Sequence, residues 1–394
     1  MRAIQWVALL SMVSMVISMS ACSRGGQQVA HPPSSPLAYA SANMFPYQGG
    51  WLGADDAYSV SLGNDKSLWF FGDTFIGPSG ATNRTQVTGF IHNSVGISTC
   101  AAQGCTFSYF WNGMGGSHPR PVFAAPGGDW FWPLDAFIYH GTLYVALTRM
   151  YAAGRGTFGF ATAASELASV SNYTQPPTQW NIRYQTLNTG GGVVPGVSIV
   201  VGRGPGGNPD PAAPGGANYA YFFTDTANSS SMALLRVPLA DLNQLARPGS
   251  APWEYLTAGG AWAKWSSTAA TLPSDAAQVI RPGATEMTVR YHSSTRQWIA
   301  VYPVGLSNSA YYSLSSSLTG GWGPSQVLYK YPEMQASNPN YTPHVFCYAA
   351  KEHVEFEAPG ELAVTYVCDS TVASDVTNNM NLYHPIMVIQ KMPK

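Results

Sequence analysis

Apolar and polar residues alternate with a period of two through most of the chain, in short runs cut by Gly, Pro, Asn and Ser. No long segment carries a helical period, so the pattern predicts strands. The first clear pair of runs is Ala54-Asp55-Asp56-Ala57-Tyr58-Ser59-Val60 and Ser67-Leu68-Trp69-Phe70-Phe71-Gly72-Asp73-Thr74. Between them lies Gly63-Asn64-Asp65-Lys66, a turn signal that predicts an antiparallel hairpin. A hairpin returns to the edge it left, so Asp55 and Asp56 on the first strand become neighbours of Asp73 on the second.

The same hairpin recurs in degenerate form. Asp135-Ala136-Phe137-Ile138-Tyr139 and Thr142-Leu143-Tyr144-Val145-Ala146-Leu147-Thr148 flank His140-Gly141. A third copy starts at Val197 and resumes at Asn218 after a Gly/Pro-rich insertion, ending at Asp225. The fourth runs from Glu286 to Tyr302, and the fifth from His353 to Asp369. Five hairpins at intervals of roughly 60 to 90 residues predict an all-β protein, a five-bladed β-propeller. A β-sandwich is the alternative, but it gives no reason for one hairpin to recur at that spacing.

Aligning the copies puts Asp56, Asp135 and Glu286 in register at the start of each innermost strand. Pro195-Gly196 stands there in the third copy and Glu352-His353 in the fifth. Acids from separate blades then converge near the propeller axis. One such acid is ordinary turn chemistry, but several in register in a chain this poor in charge point to a site. Asp73 also has an architectural reading, because Asp225 and Asp369 occupy its place in other copies. Asp55 and Asp73 form the leading catalytic pair, since close carboxylates split their proton affinities and paired carboxyls hydrolyse glycosides. Asp56, Glu286 and Asp135 are the further catalytic candidates. His92, Asn93, Trp132, Arg149, Lys351 and His353 map to the same rim as candidate substrate-binding residues. No metal site is expected from His/carboxylate spacing and no cofactor is implied, although a channel cation such as calcium leaves little sequence trace.

Composition narrows the partner. Only 10% of residues are charged and the net charge is -1, which argues against a nucleic-acid surface. Aromatics reach 13%, with 40 Gly and 29 Pro, which suits a turn-rich β protein binding a neutral ligand by stacking. At the N-terminus, Met1-Arg2 and an apolar run from Ile4 precede Met19-Ser20-Ala21-Cys22. Residues 1–22 therefore read as a lipoprotein signal peptide with Cys22 as the lipidated residue, against the alternative of an ordinary signal peptide. Residues 23–42 read as a flexible tether and 43–394 as the propeller domain. An exported bacterial lipoprotein is expected, facing the periplasm or cell surface, anchored to the membrane through Cys22 and monomeric. The remaining cysteines, Cys100 with Cys105 and Cys347 with Cys368, suit two disulfides in an oxidising compartment.

The hairpin motif, together with His92-Asn93-Ser94, Trp132-Pro133-Leu134-Asp135 and Tyr348-Ala349-Ala350-Lys351-Glu352-His353, resembles the bacterial domain of unknown function 4185 over roughly residues 45 to 390. That family is similar to five-bladed propeller glycosidases, and some of its members to endo-D-arabinanases. The resemblance implies a polysaccharide hydrolase using Asp55 and Asp73, with Glu286 and Asp135 in support, on a furanose-containing, arabinan-like substrate. Members of that family carry Asp-Gly where this chain has Asp55-Asp56, so either aspartate is the candidate. Two other classes fit the sequence: a glycan-binding propeller without catalysis, and a structural envelope lipoprotein.

Overall fold

The computed structural model describes residues 44–101, 104–154, 159–201, 219–226, 229–245 and 252–393. The proposed signal peptide, Cys22 and the tether lie outside the described residues, as does the Gly/Pro-rich insertion of the third copy.

Five antiparallel sheets follow one another along the chain. Blade one contains β1 (Trp51–Gly63), β2 (Lys66–Ile76), β3 (Gly89–Ile91), β4 (Ser94–Ala101) and β5 (Gly104–Phe110). Blade two contains β6 (Trp130–Tyr139), β7 (Thr142–Ala152), β8 (Phe160–Val170) and β9 (Ile182–Thr189). Blade three contains β10 (Val193–Val201), β11 (Tyr219–Thr226), β12 (Ser229–Pro238), β13 (Glu254–Leu256), β14 (Trp262–Lys264) and β15 (Gln278–Ile280). Blade four contains β16 (Thr288–His292), β17 (Gln297–Pro303), β18 (Ser309–Ser315) and β19 (Gln326–Lys330). Blade five contains β20 (Val345–Glu352), β21 (Glu361–Ser370) and β22 (Ile386–Lys391). Among the described residues there is one short α-helix, α1 (Ala373–Asn378).

The first strands of the blades touch in a closed cycle: β1 on β6, β6 on β10, β10 on β16, β16 on β20, and β20 back on β1. The protein is therefore an all-β, five-bladed β-propeller. Alternate residues of each blade pack against the next blade, which is why the apolar core lies between blades and is continuous over blades one to four. The ring closes between blades one and five through Arg84. Its guanidinium donates to the carbonyls of Leu52 in β1 (2.8 Å), Val376 in α1 (2.8 Å), and Asn379 (3.0 Å) and Tyr383 (2.9 Å) in the loop after α1, so one buried side chain ties the two blades together.

The disulfides join the expected partners. Cys100–Cys105 ties β4 to β5, and Cys347–Cys368 ties β20 to β21 at directly paired positions.

A feature the sequence did not reveal positions the site. Four innermost strands are broken by a register shift at the same level: Asp56/Tyr58 in β1, Pro133/Ala136 in β6, Pro195/Ser198 in β10 and Tyr348/Lys351 in β20. The extra residues adopt left-handed backbone at Asp56 (φ 70°), Ala57 (φ 73°), Gly196 (φ 99°) and Ala349 (φ 59°). Each bulge re-aims the side chains beside it toward the axis. In the fifth copy the in-register position is thus Ala349-Ala350; Glu352 ends β20, and His353, expected to open the hairpin, instead begins the 3-10 turn Val354–Phe356 beyond the strand.

Candidate active site

The β1–β2 pairing sets Ala54 against Thr74 and Asp56 against Phe71. The shift between them leaves Asp55 opposite Gly72 and Asp73, so the two leading carboxylates are cross-strand neighbours. Both residues are 1% exposed. Asp55 Oδ2 accepts hydrogen bonds from Tyr348 Oη (2.9 Å) and Tyr383 Oη (3.1 Å), while its Oδ1 has no hydrogen-bond partner. Gly72 makes room for that oxygen: a Cβ there would stand 2.5 Å from Asp55 Oδ1. Burial, followed by the negative charges of Asp73, Glu286 and Asp56, pushes the proton affinity of Asp55 well above that of an ordinary aspartate.

Asp73 is held differently. Its Oδ1 accepts from His92 Nδ1 at 2.8 Å and from Trp132 Nε1 at 2.9 Å. The His92 ring stacks on Trp130 (centroids 4.6 Å, interplanar 20°), and Trp132 meets Phe160 edge-on at 5.0 Å. His92, Trp130 and Phe160 are partly exposed, so an aromatic rim borders Asp73.

Asp56 and Glu286 share one cation. Lys351 Nζ lies 2.7 Å from Asp56 Oδ1 and 3.5 Å from Glu286 Oε1, and donates to the carbonyls of Asp56 (3.1 Å) and Ala349 (3.2 Å). It also stands 4.5 Å from the Tyr58 ring centroid. Burial alone would lower the Lys351 pKa, but the charges of Asp56 and Glu286 outweigh it and hold the ammonium above its ordinary range. Asp56 is raised well above an ordinary aspartate, by burial first and by Glu286 next, with Lys351 opposing. Four carboxyl groups thus gather at one channel mouth around one lysine.

Asp135 stands apart from that cluster. Arg290 grips it with two bonds of 2.9 Å, Nη1 to Oδ2 and Nη2 to Oδ1. Ser198 Oγ (3.1 Å) and the backbone N–H of Ile199 (2.7 Å) and Ala136 (2.9 Å) complete its shell. With both oxygens saturated by donors from blades two, three and four, Asp135 ties these blades together across the axis. Asn93 has no exposed surface and spends its amide on the backbone of Phe123 and Phe131, which fixes the entry to blade two. Arg149 bridges Asp129 (3.3 Å) and Glu166 (3.0 Å). His353 lies beneath the cluster between Ser59 Oγ (2.6 Å) and Thr365 Oγ1 (2.7 Å). Burial, aided by Lys351 and Arg290, lowers its pKa well below the usual histidine range, so it is a neutral structural ring.

Sequence reasoning missed the two tyrosines on Asp55. Tyr348 sits in the fifth innermost strand and Tyr383 in the loop after α1, 293 and 328 residues from their partner, so no local pattern marks them. Arg290 was missed for the same reason.

The architecture and the buried carboxylate mouth define a propeller of the kind built around an axial site. The chain belongs to the family described as Domain of unknown function (DUF5005), whose model matches residues 42–388. No curated protein matches it. Among solved structures it is similar to a protein of Bacteroides ovatus assigned provisionally as a hydrolase, with TM-score 0.66 and 16% identity over 90% of this chain and 89% of the other. That likeness concerns the fold. Weaker similarity is found to the GH43_1 enzyme from Xanthomonas citri complexed with xylotriose (TM-score 0.42, 14% identity, 91% and 92% covered). It extends to an exo-1,5-alpha-L-arabinanase from a bovine ruminal metagenomic library (TM-score 0.43, 10% identity, 87% and 94% covered).

Proposed function

We propose that this protein is a glycoside hydrolase acting on a furanose-containing, arabinan-like polysaccharide at the channel mouth. The observation that carries the reading is the asymmetry of two adjacent buried carboxyl groups. Asp55 is buried among negative charges that raise its proton affinity well above that of an ordinary aspartate, with Oδ1 free of protein partners. Asp73 takes two N–H donors on its Oδ1. Two carboxyls in unlike surroundings are what glycosidic cleavage requires: one protonates the leaving oxygen, the other acts as base or nucleophile. Asp55 is the acid and Asp73 its partner. Burial and Asp73 raise the proton affinity of Asp55 most, and Glu286 and Asp56, tied to Lys351, add to that rise. Asp135 supports the mouth through Arg290.

The aromatic rim of His92, Trp130 and Phe160 suits sugar faces, which offer C–H groups to ring planes. The protein would be exported and anchored through lipidated Cys22, which places it where polysaccharides are met, and it would work as a monomer without a cofactor.

The test is a panel of arabinans, arabinofuranans, xylans and fructans assayed for new reducing ends. Cleavage of a furanose polymer supports the reading. Binding without cleavage across the panel replaces it with a glycan-binding propeller. Neither binding nor cleavage leaves a structural envelope protein.

A further inference from the structure

A second cluster of ionisable side chains lies at the seam of blades four and five, on the other face of β20 from Lys351. Lys351 of the mouth cluster and Glu352 of this one are consecutive residues of β20, so the strand turns them to opposite faces and the two clusters lie back to back. In the second cluster, His292 Nε2 meets Glu352 Oε1 at 2.5 Å, and His292 Nδ1 lies 3.8 Å from Glu357 Oε2. The Glu357 carboxyl also lies against that of Glu352. One ligand atom from each of the three residues falls within 4.8 Å of the others.

Two observations separate this cluster from an ordinary ion pair. Glu352 is 1% exposed, and its Oε2 is buried with no hydrogen-bond partner. A carboxylate oxygen in that condition is costly unless a cation completes it. Arg290 reaches Glu352 and Glu355 only through its field, since no hydrogen bond or ion pair joins it to either carboxyl among the described contacts. Glu355 adds a third carboxyl, held by Ser59 Oγ at 2.6 Å, and the guanidinium of Arg290 is committed to both oxygens of Asp135. Three glutamates within six residues thus have one imidazole in direct contact, with the Arg290 charge more distant.

We propose that His292, Glu352 and Glu357 form a binding site for a divalent transition metal of the zinc class, joining the innermost strands of blades four and five. The cation takes the place of the proton between His292 Nε2 and the Glu352 carboxylate, with Oε2 drawn onto it beside Oε1 so that the orphaned oxygen gains a partner, and the 2.5 Å gap opens by several tenths of an ångström to admit it. One imidazole nitrogen and two carboxylates are a ligand set that suits zinc, whereas calcium prefers oxygen alone. Glu357 is partly exposed and gives the ion its way in. The other sulfur- and carboxylate-bearing cluster, Glu333 with Cys347 and Cys368, is set aside because its sulfurs are bonded to each other.

The experiment uses the full chain, stripped with a chelator and dialysed, then titrated with zinc chloride alone while bound metal and thermal midpoint are measured. The expected result is one zinc per chain. At zinc a hundredfold above Kd, the expected rise in Tm is about 3–4 °C. Glu352→Gln and Glu357→Gln should each weaken zinc binding at least tenfold while remaining folded by circular dichroism. His292→Gln is a third variant if both fold poorly. No zinc uptake by folded wild type overturns the proposal, as does zinc binding undiminished in the variants. An equal rise in Tm with calcium chloride also overturns it, since that marks an oxygen-only site.

Discussion

Lys351 and Asp56 meet at 2.7 Å in the floor of the channel, with the lysine fully buried. The ammonium is also the one cation within reach of Glu286 among the described contacts. Removing one partner of a buried pair leaves the other uncompensated, which costs about 3–5 kcal/mol. Lys351→Met should therefore lower stability by that amount in urea titration, with m unchanged. A variant within about 1 kcal/mol of wild type would mean that the pair carries little of the fold.

Gly72 separates packing from chemistry. Its backbone is outside the left-handed region, so alanine introduces no strain except the 2.5 Å approach to Asp55 Oδ1. Gly72→Ala should displace the proposed acid and lower kcat by about 10- to 100-fold. The expected loss of stability is about 1–3 kcal/mol, typical of overpacking. Unchanged kcat would show that Asp55 Oδ1 is not a reacting atom.

Asp369 gives a pH signature. Burial chiefly raises it from 3.8 to about 7. Between those values the folded state binds more protons than the unfolded one, so stability falls as pH rises. The contribution is complete below pH 3.8 and gone above about 7. Asp369→Asn should accordingly match wild type near pH 4 and exceed it by a few kcal/mol near pH 8. Parallel stability–pH curves for the two proteins would contradict the assignment.

The Cys347–Cys368 bridge spans 21 residues between paired strands. Chain-entropy arguments assign such a loop about 3 kcal/mol. Replacing both cysteines by serine should reduce stability by that amount, measured by denaturant unfolding without reductant. A change below about 1 kcal/mol would mean that the strand pairing alone holds blade five.

What the sequence revealed follows from range. The Asp55–Asp73 relation is a hairpin relation between residues 18 apart, readable from one turn and the two strands it joins. The blade count was readable because the hairpin recurs. The partners that decide each carboxylate's role come from other blades: Arg290 reaches Asp135 across 155 residues, and Lys351 reaches Asp56 across 295. Asp135 and Asp56 look alike in the aligned copies, yet one is saturated by a guanidinium and the other shares a lysine with Glu286. The bulge at Ala349 was hidden for a different reason. Left-handed backbone at an alanine is imposed by the surrounding sheet and leaves no turn residue to mark it. That single shift moved Glu352 and His353 out of the register expected for them.

The most direct measurement is the turnover of Asp55→Asn and Asp73→Asn on whichever polysaccharide the wild type cleaves. Each variant should keep the wild-type thermal transition within a few degrees and lose at least a thousandfold in kcat, with substrate binding retained. Activity within tenfold of wild type in either variant would contradict the assignment of that carboxyl to the reaction.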